Sequence, residues 1–253
     1  LMHCGRVAHS DNKAAGIRTV APSAIPAQGQ IYTEAGMQDF VMPVAMSLDD
    51  IEQTIADYVS ATKMAFAAGF DGVELHCTSG YLPAQFLSTG TNHRGDQYGG
   101  CLENRLRFVL ELLAAMTAVD GADRVGMRIC PGNPFNDLQD DDHCATFAAL
   151  LDAVDQMGLA YLHVIRMPKI QDNIALAKAH FSGPLIVNDS YSRDEAEAAL
   201  ADPQIAAVSF GRAFIANPDL PHRFANELSL AEMNPRLLYS PGPEGYCDYP
   251  VSQ

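Results

Sequence analysis

The sequence has few basic residues and few charged residues of either sign. Lysine and arginine together number 16, against 31 aspartates and glutamates, which gives a formal net charge of −15. A protein of this charge repels the phosphate backbone of nucleic acids and anionic membrane surfaces, so neither is an expected partner. Because 48% of the residues are hydrophobic and only 19% are charged, a disordered chain is excluded and a folded one with a large core is predicted.

Long apolar segments and paired cysteines are also absent. No apolar stretch approaches the roughly 20 residues needed to cross a bilayer, and the first residues lack the basic and apolar blocks of a signal peptide. The six cysteines form no Cys-x-x-Cys pair and match neither a zinc ribbon nor a disulfide framework, which predicts reduced thiols. A cytoplasmic protein is the expectation.

Several sequence signatures of catalysis are missing. There is no Gly-x-Ser-x-Gly nucleophile elbow, no Walker motif and no Rossmann fingerprint. The run from Asp140 to His143 resembles a metal-binding patch, but adjacent acids are more typical of a solvated helix start. No metal site is predicted.

Helical and strand patterns alternate along the chain. Apolar residues recur at helical spacing from Ser47 to Ala68, and a short buried strand follows at 72–76. The same order recurs with predicted helices over 102–119, 144–157, 170–181 and 193–200 and strands over 125–129, 161–165, 185–187 and 207–210. This alternation predicts parallel strands with right-handed crossovers and favours an α/β fold of the TIM (β/α)8 barrel type, as a single domain over residues 1–253.

Two segments interrupt the alternation. Residues 21–43 are rich in proline and glycine and are predicted to form a long excursion or hairpin over one rim of the barrel. Residues 90–104 form a polar loop after a strand, where barrel enzymes keep their chemistry.

Polar side chains stand at the carboxyl ends of the predicted strands. They are His76, Arg128, Arg166, Asn188 and Arg212. Three arginines at one end of an acidic protein indicate an anionic ligand, most simply one with a phosphate, and Gly211 before Arg212 suits such a site. Ser79 and Tyr81 follow His76 closely, although a buried histidine held by the backbone would give the same pattern.

Segments spread over nearly the whole chain resemble the Old Yellow Enzyme family of FMN-dependent ene-reductases, which includes N-ethylmaleimide reductase-like enzymes. They comprise HCGR at 3–6, GFDGVELH at 69–76, GYL at 80–82, QFL at 85–87, TN at 91–92, YGG at 98–100, ENR at 103–105, VGMR at 125–128, FGRAFIANPDL at 210–220 and EGYCDYP at 244–250.

The resemblance implies a TIM barrel that binds FMN tightly and non-covalently, is reduced by NADPH or NADH, and transfers hydride from flavin N5 to the β-carbon of an activated alkene. The implied alkene is conjugated to a carbonyl or nitro group. By the same resemblance His76 binds the substrate's carbonyl oxygen with Ser79, and Tyr81 delivers the proton. Met2 and Tyr239 are then expected to line the substrate pocket.

The cofactor residues that the resemblance implies lie in two places. Arg128 is expected beside the flavin ring, where a cation stabilises the negative charge of the reduced form. Asp189, Ser190, Gly211 and Arg212 are expected around the phosphate.

The sequence departs from the family pattern at several positions. Ser79 replaces the usual asparagine or histidine, and Met2 replaces a common tryptophan. Asp189 replaces a frequent glycine, so its carboxylate is expected to point away from the phosphate or to weaken FMN binding. The family's barrel also begins well before the position that matches Leu1, so the first two to three strands are expected to be missing.

Two other interpretations stay open. One is a flavin-free or catalytically impaired barrel remnant that acts as a binding or scaffold protein. The other is a different phosphate-binding barrel enzyme, such as an aldolase, for which Lys169 in a loop is the nearest candidate for a Schiff-base lysine. Self-association is possible under any of these interpretations.

Overall fold

The computed structural model describes residues 1–238 and 242–252. The chain divides into two compact units, Leu1–Ile186 and Val187–Gln253. The single-domain organisation therefore stays a prediction.

The first unit contains the following complete strands and α-helices. The strands are β1 (Val20–Ala21), β2 (Gln30–Thr33), β3 (Gly36–Asp39), β4 (Val44–Ala45), β5 (Val73–Cys77), β6 (Val125–Ile129) and β7 (Tyr161–Ile165). The helices are α1 (Leu48–Ala67), α2 (Leu82–Leu87), α3 (Leu102–Asp120), α4 (His143–Asp155) and α5 (Asn173–His180). The predicted strands 125–129 and 161–165 match β6 and β7, and the predicted helix after Ser47 is confirmed.

The remaining elements continue the alternation. Strand β8 (Leu185–Asn188) contains the division between the two units. The second unit then contains α6 (Arg193–Leu200), β9 (Ile205–Ser209), α7 (Arg212–Ala216) and α8 (Leu220–Ala225). Along the sheet the order of strands is β5-β6-β7-β8-β9, which is the order in the chain. This order is the one expected for part of a (β/α)8 barrel.

The central strands have one polar and one apolar face. Strand β6 pairs in parallel with β5 and β7, and His76 is level with Arg128, which is level with His163. Leu75, Met127 and Leu162 are level on the opposite face and fully buried. Because successive side chains of a strand alternate between faces, the apolar set packs on the helices and the polar set shares the inner face.

Helix α1 begins with a complete capping box. The Ser47 hydroxyl accepts from the backbone N–H of Asp50, and the Asp50 carboxylate accepts from the N–H of Ser47. Helix α3 packs on both α1 and α2, and the rings of Phe86 and Phe108 stack with centroids 4.0 Å apart. These helices form the apolar layer behind the sheet.

The predicted hairpin over residues 21–43 is confirmed as the antiparallel pair β2 and β3, flanked by the parallel pair β1 and β4. The polar loop predicted over residues 90–104 follows helix α2 and not a strand, so that part of the prediction was wrong. The loop holds this region in place. Arg94 donates to the carbonyls of Pro22 at 2.9 Å and Met46 at 2.6 Å and forms an ion pair with Asp96. These polar side chains of the loop therefore brace backbone segments.

None of the helices in the described ranges is long and apolar enough to cross a membrane.

Candidate active site

His76 lies on the inner face of β5 with one ring nitrogen unsatisfied. Its Nε2 is buried and has no hydrogen-bond partner among the described residues. Burial first, and then the positive charge of Arg128, lower the pKa of His76 from 6.5 to about 4. The imidazole is therefore neutral near pH 7, and its unpartnered nitrogen is available to a hydrogen-bonding ligand.

Tyr81 stands close to His76, as the sequence predicts for this pair. The two rings have centroids 5.3 Å apart and are tilted by 50°. Tyr81 precedes α2, and buried Gln85 on that helix donates from Nε2 to the carbonyl of Gly80 at 2.7 Å. The loop that carries the phenol is thus held by the helix it leads into.

Ser79 occupies a constrained position in the same loop. Its φ of 59° is in the left-handed region, and its carbonyl accepts from Asn136 Nδ2 at 2.7 Å. Its hydroxyl lies 3.5 Å from that of Thr78, and either group can donate. Strain at a non-glycine residue between two site residues is a feature typical of functional loops.

Arg128 belongs to a polar network that the sequence analysis missed. Its Nη1 lies 2.6 Å from Nε2 and 3.0 Å from Nδ1 of His163. His163 Nδ1 lies 2.9 Å from Oε2 of Glu74, and Tyr161 also hydrogen-bonds to Glu74. The network therefore joins β5, β6 and β7 across the inner face.

The network keeps Glu74 ionised. Burial alone would raise its pKa, but the hydrogen bond from His163, the charge of Arg128 and the hydrogen bond from Tyr161 together hold the pKa below its ordinary value. Glu74 and His76 are two apart on one strand, as are Tyr161 and His163. The two-residue period of the strands is thus the signal that could have found these residues.

The second unit holds the residues predicted for phosphate. Asp189 and Ser190 follow β8 with φ of 86° and 54°, and Gly211 caps the start of α7, which begins at Arg212. A Cβ placed on Gly211 would meet no atom within 4 Å, so the backbone there is open to a ligand. This donor set of a guanidinium and exposed backbone suits an anion.

The carboxylate of Asp189 contacts the arginine predicted for the phosphate. Its Oδ1 accepts from Arg212 Nη2 at 3.2 Å, with the two side chains 39% and 63% exposed. The carboxylate is attracted to the guanidinium and therefore competes with any anion for it.

The other predicted residues have varied surroundings. Asn188 donates to the carbonyl of Ser209 at 2.8 Å, Met2 is 55% exposed, and Lys169 is exposed in the loop after β7. Arg166 directly follows β7, and Tyr239 lies outside the described residues. The roles predicted for Met2 and Tyr239 stay predictions.

The acidic run before α4 caps the helix. Asp142 accepts from the N–H of Ala145 at 3.0 Å, and Asp140 accepts from Thr89. Across residues 1–238 and 242–252, no group of three or more metal-ligating side chains comes together. The six cysteines are free thiols.

Comparisons with known proteins identify relatives of this chain. The model of the NADH:flavin oxidoreductase / NADH oxidase family matches residues 1–231. A probable flavin mononucleotide-dependent alkene reductase of Leishmania infantum is 37% identical over 97% of this chain and 70% of its own length. The 12-oxophytodienoate reductase 1 of Oryza sativa subsp. japonica is 35% identical over 99% of this chain and 67% of its own length.

Solved structures give the same result. Morphinone reductase in complex with tetrahydroNAD aligns with a TM-score of 0.92 and 41% identity, over 99% of this chain and 71% of that one. An old yellow enzyme homologue from Zymomonas mobilis aligns with a TM-score of 0.93 and 33% identity, over 99% and 72%. The fold is therefore that of an Old Yellow Enzyme-type TIM barrel, of which this chain covers part, and the chain belongs to the NADH:flavin oxidoreductase / NADH oxidase family.

Proposed function

We propose that the protein is an FMN-dependent oxidoreductase that reduces alkenes conjugated to a carbonyl or nitro group with a nicotinamide nucleotide as hydride donor. The observation that carries the proposal is the inner face of β5 and β6, where His76 is level with Arg128 and beside Tyr81. Family membership supplies the cofactor and the reaction class.

The residues present fit FMN. In the first unit, Arg128 offers a positive charge and His76 a buried nitrogen that lacks a partner within the described ranges. In the second unit, Arg212 and the open backbone at Gly211 suit a phosphate. Asp189, which contacts Arg212, and Ser190 both have φ in the left-handed region and complete the set proposed for the phosphate. We assign Arg128 to the ring and the second set to the phosphate.

With FMN bound, the site would gain a group that carries hydride from the nicotinamide to the alkene. His76, neutral because of its low pKa, would donate a hydrogen bond to the substrate's carbonyl oxygen and withdraw electrons from the double bond. Tyr81 would hand its hydroxyl proton to the α-carbon. Ser79 would assist His76 through its hydroxyl.

Anaerobic rapid mixing tests the proposal by following flavin absorbance. NADH or NADPH should bleach the FMN-loaded protein, and 2-cyclohexenone should restore the colour. Loaded protein that neither nucleotide bleaches would contradict the proposal.

The variant Tyr81→Phe separates the two half-reactions. Bleaching should proceed as before, whereas recovery with the enone should slow by about a hundredfold or more, because a positioned acid contributes about 10²–10⁴ to rate. Tyr32→Phe makes the same change at a residue that is 68% exposed on β2 and should leave both steps unchanged. Equal recovery rates in both variants would remove Tyr81 from its proposed role.

Finer assignments belong to the same proposal. We propose NADPH or NADH as the nucleotide, the cytoplasm as the location, and self-association as a property to be tested. The acidic composition argues against nucleic-acid and membrane partners. Bleaching rates with the two nucleotides, measured side by side, give the preference between them.

A further inference from the structure

Three neighbouring strands each contribute one side chain to a continuous hydrogen-bonded chain on the inner face. Arg128 on β6 contacts His163 on β7, and His163 contacts Glu74 on β5. The His163 side chain is 10% exposed and that of Glu74 is 26% exposed. The imidazole thus links a cation to an anion in a site largely shielded from water.

The chemistry of the two ends determines the state of the imidazole. A guanidinium only donates hydrogen bonds, and an ionised carboxylate only accepts them. Arg128 Nη1 lies near both ring nitrogens, 2.6 Å from Nε2 and 3.0 Å from Nδ1. Because Nδ1 must donate to Glu74, 2.9 Å away, the nitrogen that can accept from Arg128 is the nearer one, Nε2. Only the neutral tautomer with the proton on Nδ1 does both.

The surroundings are built to hold Glu74 in this place. The phenol of Tyr161 donates to the same carboxylate, and it reaches Glu74 across β6 because residue 126 is glycine. A Cβ on Gly126 would overlap the Tyr161 ring. The carboxylate is therefore held by donors from both an imidazole and a phenol.

We propose that Glu74 and His163 are positioning residues for Arg128, with Glu74 fixing the tautomer of His163 and His163 fixing the place of the guanidinium. The cation assigned to the flavin ring then has its charge offset by a carboxylate two hydrogen bonds away. This consequence rests on the proposed function, whereas the tautomer does not.

The tautomer is tested on the chain without added cofactor. In a long-range ¹H–¹⁵N spectrum of ¹⁵N-histidine-labelled protein at pH 7, His163 should show a protonated Nδ1 and an unprotonated Nε2. Its signals are identified by their loss in His163→Gln. An imidazolium, or a proton on Nε2, would overturn the proposal.

The effect on Arg128 is tested with Glu74→Gln, which retains an oxygen acceptor and removes the charge. The reduction potential of bound FMN should move to more positive values, because a flavin that gains negative charge on reduction is favoured when a nearby carboxylate is neutralised. Glu52→Gln removes the same charge from the exposed side of α1 and should leave the potential unchanged.

The outcomes separate the two proposals. A folded, FMN-loaded Glu74→Gln with the potential of the wild type would assign Glu74 a structural role only and overturn the positioning proposal. If the wild-type chain binds no FMN, the proposed function fails. The histidine spectrum then still decides whether His163 has the neutral tautomer with the proton on Nδ1. If Glu74→Gln does not fold, the same spectrum of the wild type decides the proposal for the tautomer of His163.

Discussion

His76 is a residue whose protonation opposes folding. In the native chain its pKa is lowered from 6.5 to about 4, mainly by burial and then by Arg128. Between these pH values the unfolded chain binds a proton that the folded chain does not. His76 therefore adds stability above pH 6.5 that is lost as the pH falls towards 4.

The expected result is a free energy of unfolding that decreases from pH 6.5 to 4 with a component of up to about 1.4 kcal/mol per pH unit from this one proton. Urea unfolding of the wild type and His76→Gln at several pH values measures it. The variant should lose that component, and parallel profiles for the two proteins would show that His76 does not titrate as stated.

Asp189 is a residue that competes with the proposed phosphate for Arg212. Replacing it with asparagine removes the charge and keeps a side chain that tolerates the left-handed φ of 86°. Because an exposed ion pair contributes about 0.2–1 kcal/mol, Asp189→Asn should tighten FMN binding by roughly 1.5- to 5-fold. Quenching of FMN fluorescence on titration measures the change.

The control for this prediction is Asp194→Asn, which removes the same charge from the exposed first turn of α6. It should bind FMN as the wild type does. Weaker binding in Asp189→Asn would mean that the carboxylate assists the site.

Single residues also mark the limit of prediction from sequence. His76, Arg128 and Tyr81 stand at recognisable strand ends or motifs, and the contact of His76 with Tyr81 was predicted. Glu74 and His163 lie further inside their strands, and the two-residue period that places Glu74 on the face of His76 was the one signal that could have indicated them. The attraction between Asp189 and Arg212 likewise depends on a contact across 23 positions.

Strand β6 depends on a glycine for its inner face. Gly126→Ala should destabilise the protein by about 1–3 kcal/mol, because the new methyl group overlaps the Tyr161 ring and displaces its phenol from Glu74. Equilibrium unfolding in urea measures the loss.

Gly95→Ala is the matched control. A Cβ added at residue 95 would meet no atom within 4 Å, and the residue lies in a loop. The substitution should therefore change the free energy of unfolding by less than about 0.5 kcal/mol. Equal effects at both positions would show that the Tyr161 contact is not the cause.

The amphipathic helix α1 was predictable, and the uniformly buried helix α2 was not. Helix α1 has both a cap and an apolar stripe, so its bounds could be predicted within a residue. All six residues of α2 are buried, so no alternation of polar and apolar positions distinguishes it from a loop. Helix α5 begins later than predicted because Met167 and Gln171 pair in a bridge before it.

At the scale of the whole molecule, an acidic protein must bind a cofactor of the same sign. The net charge of −15 repels a flavin phosphate at long range, so binding has to depend on local cations such as Arg212. Repulsion of this kind weakens as salt screens it, while short contacts persist.

Binding of FMN should stabilise the chain by mass action. At a free FMN concentration of about 100 times Kd, the gain is about 2.7 kcal/mol, which corresponds to a rise in Tm of about 5–10 °C for a chain of this size. Differential scanning calorimetry measures it. Riboflavin lacks the phosphate and should raise Tm much less, and equal shifts with both would contradict a phosphate site.

The missing side chain at Gly126 links two positions that are 35 apart in the chain. Space at 126 is occupied by the ring of Tyr161, so an alanine at 126 is compatible with the sheet only if residue 161 becomes smaller. Positions 126 and 161 should therefore covary among relatives, with small residues alternating between them. In evolutionary terms the pair is expected to be epistatic, because a larger residue at 126 requires a smaller one at 161.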